Sequence, residues 1–346
     1  MGKVAIDLSS VTTVGLDLAK HVFFVHAVDD EGNVVVAREV RRRDLLAFFA
    51  SLPACRIGLE ACGSAHHWGR ELTSLGHDVW LMPPAYVKPY VKRQKNDAAD
   101  AAAICEAVTR PSMRFVKIRS VDNQAVLMHH KVREMLVRQR TQILNSLRGH
   151  LAEIGIIAAQ GPSHAHALAN LLREGDVSIP PAVTAALLPL VNQLDRLDAE
   201  IKLVDAAIAK LAKTDPVAST LMSIPGIGPV TASALVASVG DPSSFSGPRQ
   251  FAAFLGLVPR QNSSGGKVRL GRVSKMGNGY LRKLLVVAGH SVLYHRTRHT
   301  DPLRRWADKL MATKPFKLVA VALANKLARI AYAVMTTGTS YRNATA

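Results

Sequence analysis

The sequence contains little cysteine, few aromatic residues and comparatively few acidic residues. Its three cysteines, Cys55, Cys62 and Cys105, form no CxxC pair and have no paired-histidine pattern beside them. This spacing argues against a disulfide framework and indicates no zinc site. Aspartate and glutamate number 26 against 44 lysines and arginines, which gives a formal charge of +18. Such a shortage of negative charge predicts a polyanionic partner, nucleic acid before an anionic membrane surface.

Long uninterrupted hydrophobic runs are also missing. The most apolar late stretch, LVAVALANKLARIAYAVM, is interrupted by Lys326 and Arg329, and the first residues lack the apolar centre of a signal peptide. We therefore expect a cytoplasmic protein with no membrane partner. The charge is unevenly placed, because residues 256–346 carry 17 basic residues against only Asp301 and Asp308. This last quarter of the chain is the predicted main contact with nucleic acid.

The N-terminal region has the pattern of an α/β domain. Residues 14–28 and 34–40 are rich in β-branched and aromatic residues and are separated by the turn-forming DDEGN, which predicts a hairpin of two strands. Residues 56–62 and 77–82 resemble two further strands, with a helical stretch at about 66–75 between them. This order predicts a βαβ unit in the same sheet.

The middle of the chain is predicted to be helical. Asn96 is a plausible N-cap for an alanine-rich helix, and apolar residues recur at helical spacing over residues 121–154. A second helical pattern has an a/d heptad seam, made by Leu187, Leu190, Leu194, Leu197, Ile201, Val204, Ile208 and Leu211. The seam fits a coiled coil, a helical hairpin, or an amphipathic helix packed on its own domain. Residues 160–181, between the two patterns, are predicted to be a loop-rich break.

Carboxylates occur where an apolar strand would not ordinarily have them. Asp17 lies within VGLDLAK and Glu60 within IGLEAC, and a buried carboxylate is costly unless it is paired or binds a metal. Asp97 and Asp100 share one face of the first turn of the alanine-rich helix. Taken alone, that pair is typical of acids that complement the helix dipole.

Together, however, the four acids predict a metal site. Two acids on adjacent strands and two on a following helix can converge at one edge of a sheet, where they would repel one another without divalent cations. Hard oxygen ligands around paired Mg²⁺ ions, with Mn²⁺ as an alternative, are the design of a two-metal phosphoryl-transfer site. In a basic protein, such a site is expected to act on a nucleic-acid backbone.

Two C-terminal segments are candidate nucleic-acid contacts. Gly226 and Gly228, in IPGIGPVTA, fit a helix-hairpin-helix whose backbone N–H groups approach a phosphate, although a plain helix–helix turn has the same pattern. Residues 260–283 place two serines before a Gly-Gly pair, and such a loop usually only holds phosphate. The predicted contacts in that segment are its cations, Arg260, Lys267, Arg269, Arg272, Lys275, Arg282 and Lys283.

The order of these motifs resembles one known family. GLDLAK, LEACGS and KNDAADAAAI, followed after a helical insert by SIPGIG and QFAAFLGLVPRQNSSGGKVRLGRVSKMGNGYLRKLL, are similar to the DEDD transposases of insertion sequences, a group described as bridge-RNA-guided recombinases. The resemblance covers nearly the whole chain. It implies an RNase H-like (RuvC-like) catalytic domain over residues 1–118, a coiled-coil insert over 119–215, and a mainly α-helical transposase domain over 216–346.

The resemblance also implies roles and partners. Asp17, Glu60, Asp97 and Asp100 correspond to the catalytic acids that hold the metal ions. Counting from GLVPR, the catalytic serine corresponds to Ser264, with Ser263 beside it as the alternative. The implied partners are donor DNA, target DNA and a bridge-type guide RNA whose loops pair with both DNAs. The implied assembly is a homodimer that associates into a tetramer.

Two other functions fit parts of the sequence. A Holliday-junction resolvase or nuclease would need the four acids but no serine, and the long C-terminal region argues against it. A nucleic-acid-binding regulator would need no working acid site, and the intact set of four acids argues against it.

Overall fold

The computed structural model describes residues 7–92, 96–159, 161–298 and 301–341, which form two compact units divided between Val121 and Asp122. The first unit is mixed α/β. Its elements are β1 (Thr13–Asp17), β2 (Val22–Val28), β3 (Val34–Arg41), α1 (Leu45–Ala50), β4 (Arg56–Glu60), α2 (Ala65–Ser74), β5 (Asp78–Met82), α3 (Pro84–Val87) and α4 (Asp97–Val108).

The first unit contains a five-stranded sheet in the order β3-β2-β1-β4-β5. Strands β1, β4 and β5 are parallel, whereas β2 and β3 run antiparallel to their neighbours. The prediction of one strand over residues 14–28 is wrong, because the chain turns after Asp17 and returns as β2. Residues 18–21, which connect the two strands, include no glycine, proline or asparagine, so no turn signal separates the strands in the sequence.

Helices cover both faces of this sheet. Helices α1 and α2 pack on one face through Phe49, Trp68 and Leu72, which join the buried side chains of the strands. Helix α4 packs on the opposite face. Asn96 is its N-cap, and the Asn96 side-chain oxygen accepts a hydrogen bond from the backbone N–H of Ala99 at 2.7 Å. The predicted α/β class and the predicted N-cap are confirmed, and the architecture fits an RNase H-like domain.

The second unit is mainly helical. Its elements are α5 (Val121–Ala152), α6 (Pro162–Glu174), α7 (Pro181–Thr214), α8 (Pro216–Leu221), α9 (Pro229–Val239), α10 (Pro248–Phe254), β6 (Pro259–Gln261), β7 (Leu270–Val273), α11 (Gly279–Tyr294), α12 (Pro302–Met311) and α13 (Phe316–Thr337). The predicted loop-rich break between the long helices is wrong, because it contains α6. Leu168 and Leu172 of α6 are buried against the long helices, so tertiary packing stabilises a helix flanked by glycine and proline.

The long helices α5 and α7 pair antiparallel within one chain. Arg133 forms an ion pair with Asp205, and Arg140 with Asp198 at 3.2 Å. Leu187 and Leu194 of the heptad seam belong to the same buried cluster as Leu144, Leu147 and Leu151 of α5. Part of the seam is therefore filled from within the chain, whereas its use as a coiled coil between chains stays a prediction. The predicted domain boundary at residue 215 likewise stays a prediction.

Helix α13 is the central helix of the C-terminal core. It is long and apolar enough to cross a membrane by length and composition, but 44% of its most apolar window is buried inside the protein. Its buried residues, including Leu323 and Leu327, pack with those of α9 and α11. The core helix of a soluble protein has the same composition, so α13 is weak support for a membrane span.

Candidate active site

Asp17 and Glu60 end two neighbouring parallel strands at the same edge of the sheet. The register pairs Gly15 with Gly58 and Leu16 with Leu59, so the two acids follow side by side. Successive side chains of a strand point to opposite faces, so each acid shares a face with the glycine two residues before it. Burial and the charges of Glu60 and Asp17 raise the pKa of the Cys62 thiol, which indicates that both carboxylates lie near this one sulfur atom.

The glycines let α4 lie unusually close to that face of the sheet. A Cβ atom added to Gly15 would lie 2.1 Å from the carbonyl oxygen of Ala101 and 2.4 Å from the backbone nitrogen of Cys105. A Cβ atom added to Gly58 would lie 2.9 Å from the Cβ of Val108. Any larger residue at position 15 would therefore displace the backbone of α4.

The same contacts place the first turn of α4 beside the two strand acids. Gly15 faces Ala101 and Cys105, and the Cys105 thiol lies 3.8 Å from the carbonyl oxygen of Thr13, so α4 runs antiparallel to β1. Asp97 precedes Ala101 by four residues and so continues the row of side chains that lies over β1. Asp100 continues in the same way the row of Ile104 and Val108, which lies over β4. The four predicted acids therefore share one edge of the sheet.

The predicted serines lie at the tip of an exposed β-ribbon made by β6 and β7. Ser264 and Lys267 flank the glycine pair, and the backbone N–H of Lys267 donates to the carbonyl oxygen of Ser264 at 3.0 Å. Gly265 and Gly266 have φ angles of +55° and +76°. Positive φ at both central residues is the requirement of a type I′ turn, and it explains the Gly-Gly pair.

The two serine hydroxyls are in different surroundings. The Ser263 hydroxyl accepts hydrogen bonds from the backbone N–H of Arg269 at 3.0 Å and from the Gln261 amide at 3.2 Å. The Ser264 side chain makes no hydrogen bond within the described part of the chain, and the residue is exposed at the turn. Ser264 thus presents the more accessible hydroxyl of the two.

The predicted cations of this segment fall into two groups. One group is exposed along the ribbon and its base: Arg260, Lys267, Arg269, Arg272 and Lys275. The other group is used inside the unit. The Arg282 guanidinium donates to the carbonyl oxygens of Leu255 at 3.0 Å and Met276 at 3.1 Å, and Lys283 forms an ion pair with Glu134 at 3.2 Å. Arg282 therefore fastens the base of the ribbon to the end of α10.

The two glycines of the predicted helix-hairpin-helix also differ. Gly226 has a φ of +84°, and a Cβ atom there would lie 2.9 Å from the carbonyl oxygen of Ala288 in α11. Gly228 is the N-cap of α9, and a Cβ atom there would meet no atom within 4 Å. Packing against α11 thus explains Gly226, and only Gly228 leaves room for a ligand.

Known families match both units of this chain. A family described as DEDD transposase of the IS110 type matches residues 14–156, and the "Transposase IS116/IS110/IS902 family" matches residues 218–303. The chain is 46% identical to a probable family 20 transposase of Pseudomonas aeruginosa, over 96% of this chain and 99% of that protein. The chain belongs to the IS110/IS116 family of DEDD transposases. This membership makes it an enzyme that cuts and rejoins DNA.

Other family members are similar over nearly their full lengths. The transposase of insertion sequence element IS1328 from Yersinia enterocolitica is 38% identical, over 96% of this chain and 99% of that protein. The transposase of IS1111A from Coxiella burnetii is 38% identical, over 97% of this chain and 93% of that protein.

The DEDD domain indicates use of a divalent metal ion, and the four acids fit such an ion in chemistry and in backbone position. Carboxylate oxygens are hard ligands that suit Mg²⁺ or Mn²⁺. Among the described residues, no three His, Cys, Asp or Glu side chains are gathered closely enough to hold an ion. The backbone thus brings the acids to one edge, and their side chains would have to turn inward to share a cation.

Sequence reasoning missed the residues that position the site. Gly15 and Gly58 allow α4 to pack close to the sheet. The Arg282 side chain donates to a backbone carbonyl group and so holds the base of the ribbon. The glycines did carry a signal, because a glycine inside a strand often marks a close approach of another backbone. Arg282 carried no such signal, because the sequence pattern of a basic segment is the same whether an arginine binds backbone carbonyl groups of its own chain or contacts nucleic acid.

Proposed function

We propose that this transposase is an RNA-guided DNA recombinase that uses the four acids and Ser264 on the same phosphodiester. The observation that carries the proposal is the shared sheet edge of Asp17, Glu60, Asp97 and Asp100. If their side chains turn inward, four carboxylates at one edge would repel one another unless cations bind between them. The exposed turn of the ribbon supports the second part, since it leaves the Ser264 hydroxyl accessible to solvent.

In the proposed reaction, Ser264 Oγ attacks the phosphorus of a DNA phosphodiester. An Oγ–P bond forms while the P–O bond to one sugar oxygen breaks, which leaves a phosphoserine link on one DNA end. The serine proton passes to a base at the acid edge, which is the sheet edge that carries Asp17, Glu60, Asp97 and Asp100. The leaving sugar oxygen takes up a proton. Mg²⁺ or Mn²⁺ held by the acids would stabilise the negative charge that develops on the phosphate. Attack by a sugar hydroxyl of the second DNA reverses these steps and completes the strand exchange.

Sequence choice in this proposal resides in base pairing with a guide RNA, and the protein binds shape and backbone. The cations exposed on the ribbon support backbone binding, because such contacts position a nucleic acid without reading its bases. We also propose a homodimer that assembles into a tetramer, so that two donor and two target strands meet in one complex. Since its substrate is DNA and its guide is RNA, we place the protein in the cytoplasm.

The test is a strand-cleavage assay on donor DNA with the full chain and its co-purified RNA, in Mg²⁺ and in EDTA. The proposal predicts an SDS-stable protein–DNA adduct in Mg²⁺ that Ser264→Ala abolishes and Ser263→Ala preserves. Cleavage that survives Ser264→Ala but not Asp17→Asn would favour the resolvase alternative. Binding without cleavage in either buffer would favour the regulator. Sequencing the co-purified RNA checks the guide.

A further inference from the structure

Two exposed cations lie beside the acid edge of the sheet. Arg41 ends β3, and Lys92 follows the turn after α3. Asp17 pairs with Phe24 of β2, and Phe24 pairs with Glu39 of β3. Arg41 is therefore two strands across from Asp17 and two residues nearer the edge. With strands about 4.8 Å apart and about 3.3 Å per residue, the Cα atoms of Asp17 and Arg41 are about 12 Å apart.

Both cations are on the same side of the sheet as the carboxylates. Val40 is buried with Trp68 on the opposite face, so its neighbour Arg41 points to the α4 side. His26 pairs with Gly15 and is also on the α4 side. Burial, together with the charge of Lys92, lowers the pKa of His26, which indicates that the Lys92 ammonium group lies near this imidazole. Arg41 and Lys92 thus both lie on the α4 face of the sheet, on the side of Asp17 where β2 and β3 are.

Neighbouring arginines are used differently. The Arg42 guanidinium lies over the Trp68 ring, 5.1 Å from its centroid, and Arg43 forms an ion pair with Asp44 at 3.4 Å. At Arg41 and Lys92, by contrast, no ion pair forms within the described ranges of the chain. Residues 1–121 contain 16 basic and 13 acidic residues, so the unit has little net charge. The position of these two cations, rather than a general excess, is what can attract a phosphate.

We propose that Arg41 and Lys92 hold the backbone of the DNA strand that enters the acid site, by contacting phosphates on the β3 side of the one that is cut. The inference rests on the proposed function of the four acids. A DNA strand approaching four carboxylates is repelled, and adjacent cations offset that repulsion. Phosphate contacts of this kind fix the position of a strand, and an arginine can bind a phosphate with two hydrogen bonds. DNA is the partner because it is the strand that the acids must reach.

The test compares salt dependence in the full chain with its co-purified RNA. For wild type and for the double variant Arg41→Gln/Lys92→Gln, the half-saturating DNA concentration for Mg²⁺-dependent cleavage is measured at salt concentrations between about 50 and 200 mM. Loss of two phosphate contacts lowers the logarithmic salt slope by about 1.8, so the variant's half-saturating concentration changes about tenfold less over this range.

The matched control is Arg56→Gln/Arg110→Gln. Both arginines are 47% exposed and lie at the opposite edge of the sheet, at the start of β4 and just after α4. This pair removes the same net charge and is expected to leave the slope near the wild-type value. Arg41→Lys keeps the charge and should keep the slope. Glu39→Gln removes a negative charge beside Arg41 and should lower the half-saturating DNA concentration.

An equal fall in slope for the control pair would overturn the proposal, because only net charge would then matter. Weaker RNA binding with unchanged DNA dependence would also overturn it. If wild type shows no metal-dependent cleavage, the proposed function is contradicted instead. The same salt titration of DNA binding in EDTA then still tests the two cations, and an unchanged slope for the Arg41/Lys92 variant would refute their role.

Discussion

Replacing Gly15 by alanine tests whether the closeness of α4 to β1 positions the acids. The added Cβ would lie 2.1 Å from the Ala101 carbonyl oxygen and 2.4 Å from the Cys105 nitrogen. Both are backbone atoms, so no change of rotamer relieves the overlap. To restore ordinary contact, α4 must move away from β1 by about 1 Å, and overpacking of this kind costs about 1–3 kcal/mol of folding free energy.

The functional effect should exceed the effect on stability. Asp97 and Asp100 move with α4, whereas Asp17 and Glu60 stay with the sheet. Reacting groups must be held to within about 0.5 Å, and a misplacement of about 1 Å can lower a rate about 100-fold. We therefore expect Gly15→Ala to lower the rate of Mg²⁺-dependent cleavage by about that factor and to raise the Mg²⁺ concentration that gives half the maximal rate. DNA affinity should be unchanged.

Alanine substitutions at two further glycines should have smaller effects than Gly15→Ala. A Cβ atom at Gly58 would meet the Val108 Cβ at 2.9 Å and the flexible end of Met82 at 3.1 Å, so Gly58→Ala should have a smaller effect. At Gly63 it would meet no atom within 4 Å, so Gly63→Ala is the matched control. Wild-type cleavage and an unchanged Mg²⁺ dependence in Gly15→Ala would refute the idea that close packing of α4 positions the acids.

Three other perturbations have defined outcomes. Asp17→Asn and Asp100→Asn should each abolish strand transfer but leave DNA binding, because they remove ligand charge and keep shape; transfer in Mg²⁺ by either variant would count against the site. An Asp17→Asn chain mixed with a Ser264→Ala chain should recover recombination if one protomer's serine works with another's acids, and should stay inactive if each site is built within one chain. Burial, with the charges of Arg133 and His129, lowers the pKa of His130 to about 4, so stability present above pH ~6.5 is lost as the pH falls toward ~4. His130→Gln, which cannot be protonated, should remove about 2–3 kcal/mol of this acid-induced loss in the free energy of unfolding, and an identical pH profile would contradict it.

The sequence predicted much of the first unit because its signals are local. Asn96 precedes an alanine-rich helix and caps it, and carboxylates interrupt otherwise apolar strands at Asp17 and Glu60. Since parallel neighbouring strands end at the same edge, these two acids could be expected to meet. The turn after Asp17 was missed because residues 18–21 include no glycine, proline or asparagine.

What the sequence could not predict depends on tertiary contacts. Helix α6 has helical signals of its own, with Leu168 and Leu172 four residues apart and Gly175 at its C-cap, but the glycines and prolines around it favoured a loop. Burial of the two leucines stabilises the helix. The Ser263 hydroxyl accepts hydrogen bonds from Arg269 and Gln261 only because β6 and β7 pair across the turn. The clamp made by Arg282 needs the two carbonyl groups that the packing of α10 and α11 brings together.

Identifying the residue that is joined to DNA tests whether Ser264 is the nucleophile. The full chain is incubated with donor DNA in Mg²⁺, the SDS-stable adduct is digested with protease and nuclease, and the peptide that retains a nucleotide is sequenced by mass spectrometry. We expect a nucleotide on Ser264 and no adduct in the Asp17→Asn protein. A nucleotide on Ser263 or on any other residue, or cleavage with no covalent adduct, would contradict this expectation.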